Sequence, residues 1–207
     1  MRSGRKWWVA VGGIVTILLL SGCTGATSTA RPQVRGSSSG STATSLPLGA
    51  TASLNGLTFR HPSSWRVYPY TYSFSFDDLL GELSTQSLRD PCTVRTASEL
   101  VCGPPIDPLK PNAVVITWTQ HSFPHAAGTP WDQGVPGSPA KFAGLAARVE
   151  SGAAESWCAK INGSRQLVVT LDRGGGQTIM TACMSARGVA VSEGTVRAML
   201  ASLTVAP

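Results

Sequence analysis

The chain has 207 residues, 42% of them hydrophobic and 14% charged, and a formal charge of +6 from 17 basic and 11 acidic side chains. This is too apolar for a disordered polymer, and the charge is too diffuse for a nucleic-acid surface. Arg2, Arg5 and Lys6 stand together at the start; without them 14 basic residues face 11 acidic ones, and a balance of +3 with no basic run serves solubility.

Those three residues form a basic n-region, followed by the uncharged stretch from Trp7 to Leu20 and then by Leu20-Ser21-Gly22-Cys23. About 14 apolar residues are too few to cross a hydrocarbon core that needs roughly 20, so the segment reads as an export signal. Leu-Ser-Gly-Cys resembles the lipobox of bacterial lipoproteins. That resemblance implies a diacylglycerol on the thiol of Cys23, acyl chains such as palmitate, and cleavage just before Cys23. Two acyl chains anchor stably where one binds only marginally. The expected partner is thus the cell membrane, met from the extracytoplasmic side.

From Thr24 to Ala50 the sequence is rich in Ser, Thr, Gly and Ala and has no acidic residue. It lacks the apolar content to offset its ordering entropy and reads as a tether, with a mean reach of about 30 Å. Gly36-Ser37-Ser38-Ser39-Gly40 matches the G-x-S-x-G pattern of a nucleophile elbow. That motif needs a strand before it and a helix after it, and a Ser/Gly tether supplies neither. The expected organisation is a signal peptide over 1–22, lipidated Cys and tether over 23–50, and one domain over 51–207, long enough for one core and too short for two.

Leu54 to Pro62 alternates Leu57 and Phe59 against Thr58 and Arg60 and predicts a strand ending at the proline. Trp65 to Tyr70 predicts an aromatic strand that lies at an edge or ends at Pro69. Phe74 to Leu88 is ambiguous: Phe76, Leu79, Leu80 and Leu83 fit a helix face with Asp77 as cap, yet Leu79 to Ser84 also fits a strand. Ala113 to Thr119 is a continuous apolar run suited to the middle of a sheet. His121 to Ala140 predicts a long Pro/Gly-rich loop. Leu145 to Ser151 is a strand. Trp157–Ile161 and Gln166–Leu171 flank Asn162-Gly163 and predict a type I′ hairpin. Gly174-Gly175-Gly176 turns into a strand over Thr178–Met184. The tail is a helix capped by Ser192, with Val196, Met199, Leu200 and Leu203 on one stripe. These elements make an α+β fold, a mainly antiparallel sheet with a C-terminal helix packed on it.

Four cysteines follow Cys23. An even number in an exported domain implies disulfides. Cys92–Cys102 and Cys158–Cys183 are the favoured pairs. The first closes a short loop rich in turn formers. The second carries a geometric strain: if Cys158 and Cys183 sit on strands flanking a shared strand, they lie near 10 Å apart, beyond the roughly 7 Å a disulfide tolerates. One cysteine must then sit at a strand end, or the meander must be broken. Zinc is the weaker alternative, since no C-x-x-C occurs.

Gly56-Leu57-Thr58-Phe59-Arg60-His61-Pro62 followed by Trp65 resembles the opening of PsbP-like domains. Asp90-Pro91-Cys92, Cys102-Gly103, Trp118, Cys183 and the closing Val196–Leu203 resemble a group of uncharacterised lipoproteins from high-GC Gram-positive bacteria. In that group the segment matching Leu79–Ser84 is a strand, which decides the ambiguity above. The resemblance implies no activity.

The chemistry-bearing residues are sparse. His121 and His125 have i, i+4 spacing, but Pro124 between them breaks a helix; His61, before a proline, reads as a surface residue. Glu150 and Glu155 flank a Ser-Gly-Ala-Ala turn and would face one another in a glycosidase-like pair. Gly174-Gly175-Gly176 lacks the lysine and helix of a phosphate cradle. No cofactor motif, metal set or catalytic constellation emerges. Tyr68, Tyr70, Tyr72, Phe74 and Phe76 would share one face of a strand, either as half of the core or, with Trp131, as an aromatic platform for a glycan or protein of the envelope. The expectation is a lipid-anchored binding or scaffold module rather than an enzyme. The alternative is a hydrolase of cell-wall material using His121, His125, Asp132 or the Glu150/Glu155 pair.

Overall fold

A computed structural model describes residues 45–74, 77–90, 92–96, 99–103, 107–122 and 129–206, with backbone alone for 74, 93–96 and 99–101. Cys23, the tether, Phe76 and His125 lie outside the described residues, as does the side chain of Phe74. In chain order the elements are β1 (Ala50–Leu54), β2 (Leu57–His61), β3 (Arg66–Tyr68), β4 (Tyr72–Phe74), β5 (Asp77–Ser84), β6 (Cys92–Thr96), β7 (Glu99–Cys102), β8 (Val114–His121), β9 (Ser138–Phe142), β10 (Leu145–Ala153), α1 (Ser156–Lys160), β11 (Arg165–Asp172), β12 (Gln177–Met184), α2 (Val189–Ala201) and β13 (Thr204–Val205). The fold is α+β, mainly antiparallel sheet with a C-terminal helix on it.

The main sheet runs β3-β5-β8-β12-β11-β10-β9, with β4 also paired to β5. The apolar run expected at the centre is β8, which lies between β5 and β12. A small sheet β1-β2-β13 stands apart, and β6-β7 is a separate two-stranded ribbon. Side chains alternate across each strand, so the main sheet has two chemically different faces. The first face carries Ile116, Trp118, Met180, Leu167 and Leu171. It is closed by Val196, Met199 and Leu200 of α2 and by Leu57 and Phe59 of β2. Phe59 stacks on Trp118 with ring centroids 5.2 Å apart. The second face carries Val115 and Cys183 beneath Leu88, Leu109, Ile161 and Cys158.

Several expectations need correction, each for a local reason. The strand expected over Leu54–Pro62 begins at Leu57, because Asn55 and Gly56 take φ of 44° and 74° and turn β1 into β2. Two positive φ values are what a type I′ turn demands. The Asn162-Gly163 pair plays a different part. Trp157–Ile161 is not a strand but the body of α1. Asn162 (φ 63°) ends that helix, with its N–H donating to Ala159 O and the Gly163 N–H donating to Cys158 O at 2.8 Å. That pair of bonds is a Schellman stop. A Cβ on Gly163 would meet the Cys158 carbonyl oxygen at 2.6 Å, so glycine is required for close approach.

The strain expected in Cys158–Cys183 disappears with the misassigned strand. Cys158 rides on α1 above the sheet, and its Cα lies 5.3 Å from that of Cys183. Cys92–Cys102 bridges the paired ends of β6 and β7. Ser192 is not the cap of α2: the helix starts at Val189 after Gly188 (φ 72°), and the Ser192 N–H already donates to Gly188 O. The stripe Val196, Met199, Leu200 and Leu203 is buried as expected. Leu79–Ser84 is strand, within β5. The loop expected to reach Ala140 ends earlier, at Ser138, where β9 forms an edge strand that tolerates Pro139.

Candidate functional site

The aromatic run does not form one strand. Pro69 interrupts it, so Tyr68 ends β3 and Tyr72 starts β4, and both strands pair with β5. The two-residue alternation is nevertheless restored on the sheet: Tyr68 lies opposite Glu82, and Tyr72 opposite Leu79. Between Leu79 and Gly81 the pairing of β5 with β8 shifts register. This bulge, with Gly81 at φ 156°, keeps both Leu79 and Glu82 on the second face. A Cβ on Gly81 would lie 2.8 Å from Leu54 Cδ2 and displace that side chain, and the φ of 156° itself favours glycine.

Glu82 is the centre of this region. It is fully buried, and neither carboxylate oxygen has a hydrogen-bond partner. Tyr68 flanks it on β3 and Thr117 on β8. Burial, then the charge of Asp90, pushes its carboxyl up to about 7. An ionised carboxylate removed from water without a partner is costly, so the neutral acid is favoured. The effect is mutual. Burial, then the Glu82 charge, pushes the Tyr72 phenol up to about 12. Burial, followed by Asp90, Tyr68 and Glu82, raises that of Tyr70.

The surrounding groups are fixed. Tyr70 stacks on Tyr68 with centroids 5.5 Å apart. The Tyr68 hydroxyl donates to Gln86 O and accepts from the Leu88 N–H, both at 3.1 Å, which orients the ring. Two arginines of the flanking segments are turned elsewhere. Arg66 donates to Ser87 Oγ, and Arg89 is held by Asp107. That contact keeps the Asp107 carboxyl below its ordinary value. Asp90 accepts from the Cys92 N–H at 2.8 Å.

Of the residues expected to carry function, Tyr68, Tyr70 and Tyr72 are therefore brought together. Trp131 is not: its carbonyl accepts from Gln177 Nε2 on β12, three strands from β4. The hydrolase groups scatter. His121 Nδ1 meets Asp77 Oδ1 at 2.6 Å across the β5–β8 pair. Asp132 is bound instead by Arg148, at 2.7 Å. Glu150 lies within β10 and Glu155 precedes α1, so no turn brings them face to face. His61 is buried rather than on the surface, its Nδ1 2.9 Å from Pro62 O. All four cysteines after Cys23 are in disulfides, which displaces the zinc alternative. Among the described residues no group of three His, Cys, Asp or Glu is placed to hold a metal ion. Two open depressions of about 310 and 280 Å³ have no acidic, histidine or cysteine side chain in their described linings.

Glu82 is the residue that sequence reasoning missed. The one available signal was a lone acid inside the apolar string Leu79-Leu80-Gly81-Glu82-Leu83. No helix of the described residues is long and apolar enough to cross a membrane. No family model matches the chain, and no curated protein matches it.

Proposed function

We propose that this chain is a lipoprotein held by lipid on Cys23 at the extracytoplasmic side of the cell membrane, where its domain binds an envelope component at the tyrosine edge of the second sheet face. The observation that carries the binding reading is Glu82, buried with both oxygens unpartnered beside Tyr68, Tyr70 and Tyr72. A buried unsatisfied acid costs stability, and such groups collect where function requires them. Tyrosines offer an apolar ring and a polar tip, which suits contact with a glycan or a protein surface. Export and anchoring rest on the basic start, the short apolar run and Leu20-Ser21-Gly22-Cys23, and the two disulfides suit an oxidising compartment.

Two measurements test this. Intact mass of the native protein, with and without reduction, is expected to show a diacylglycerol-modified N-terminus at Cys23 and a gain of four hydrogens. An unprocessed N-terminus would overturn the anchoring. The full-length protein in detergent is then titrated with solubilised wall glycan. Saturable binding that weakens about tenfold or more in Tyr70→Ala and Tyr72→Ala supports the face as the contact surface. Equal binding by these variants removes it.

A further inference from the structure

We infer that Glu82, walled by Tyr68, Tyr70 and Tyr72, is the recognition group of a site for a ligand bearing a primary ammonium group. This rests on the binding reading above and names the chemistry that the same face selects. The unpartnered Glu82 carboxylate offers two acceptor oxygens. An –NH₃⁺ group brings three donors and a compact charge, so it would satisfy both oxygens and neutralise the acid at once. The tyrosine rings beside it present faces that attract a cation. Among the described residues, the charge that acts on Glu82 is that of Asp90. Asp90 acts on both Glu82 and Tyr70, while Arg66 and Arg89 are engaged by Ser87 and Asp107.

Competing ligands fit less well. A metal ion would want several oxygen or nitrogen ligands, and the described residues offer no such group. An anion would be repelled by Glu82 and by Asp90. A neutral sugar hydroxyl would fill one acceptor and leave the charge uncompensated. Glu82 is itself buried, and the groups around it are nearer the solvent. Tyr68, Tyr70 and Tyr72 are half-buried, while Asp90, close enough to perturb it, is exposed.

The probe is Nα-acetyl-lysine amide, titrated into the full-length protein in detergent and followed by NMR shifts at Glu82, Tyr68, Tyr70 and Tyr72. Saturable shifts are expected at these residues. They should weaken about tenfold or more in Glu82→Gln and several-fold in Tyr70→Ala. The Nε-acetylated probe, which keeps the chain and loses the charge, should not bind. Affinity should rise as pH passes upward through about 7, where the carboxyl ionises. Glu82→Gln removes a buried acid and keeps the shape, so its thermal melt serves as the folding control. No saturable shift, equal affinity in Glu82→Gln, or equal affinity for the acetylated probe would each overturn the assignment. If these fail while wall glycan still binds at the tyrosines, the ammonium site falls and the binding reading stands. If both fail, the binding reading falls with it.

Discussion

The two faces of the main sheet are built on opposite plans. The first is an apolar layer, with Trp118, Met180, Leu167 and Leu171 sealed under α2 and β2. The second is pinned at one end by the Cys158–Cys183 disulfide and a small apolar cluster, and elsewhere carries Glu82, Thr117, Thr119 and Thr181. The first face gains its stability from area removed from water. The second depends on a covalent tie and tolerates a buried acid. Stability and the proposed recognition thus fall on different sides of the same strands, and each side can be altered with the other as control.

The largest effect belongs to the first face. Trp118 is 1% exposed and stacked on Phe59. Trp118→Ala should cost about 3–5 kcal/mol by lost transfer energy and the cavity left behind. A urea melt that moved only slightly would show that this layer is not the main core. Next is the disulfide of the second face, which closes a sequence separation of 25 residues. Replacing both Cys158 and Cys183 by Ser should cost about 3 kcal/mol by releasing the unfolded chain. An unchanged melting temperature would mean that α1 is held by packing alone.

The contrast between the faces also explains what the sequence disclosed. Alternation and apolar runs are local signals, so β8, β11, β12 and the stripe of α2 were legible. The disulfide pairs followed from spacing and compartment. What failed was punctuation. Asn55-Gly56 and Asn162-Gly163 are the same dipeptide, yet the first turns a hairpin and the second stops a helix. The difference lies in whether the preceding backbone is extended or coiled, which five residues such as Ser156–Lys160 do not reveal. The site was half legible: the tyrosines were named from their spacing, but Glu82 was not. Its burial depends on pairing with β3 on one side and with β8, some way further along the chain, on the other, which no local pattern announces.

Glu82 gives the third effect, and its sign is opposite to that of an ordinary salt-bridged acid. Its folded-state value of about 7 lies above the ordinary 4.5. The folded protein therefore holds the proton more tightly, and this contribution is full below 4.5 and fades as pH rises through about 7. Within that window stability should fall by up to about 1.4 kcal/mol per pH unit. Glu82→Gln should flatten the slope and melt higher than the parent at alkaline pH. A parent protein whose stability does not decline over this window would show that the carboxylate finds a partner.

The smallest effect returns to the first face, where the half-buried acid Glu193 is paired. Glu193 on α2 takes Arg165 Nε at 2.7 Å and Arg197 Nη2 at 2.6 Å, and Ser151 Oγ donates to it at 3.2 Å. Burial pushes its carboxyl up, but the hydrogen bonds from Arg197 and Arg165 outweigh it and leave the value below the ordinary 4.5. Its contribution is therefore present above 4.5 and lost as pH falls through the lowered value, the reverse of Glu82. Both arginines are more than a third exposed, at 40% and 50%, so solvent screens the pair. Glu193→Gln should cost no more than about 1 kcal/mol, and less as salt is raised. A loss that high salt left undiminished would show that Glu193 acts through its neutral contact with Ser151 of β10 rather than through charge. The two acids would then differ in burial alone, and the pairing that separates them here would not be what sets their opposite response to pH.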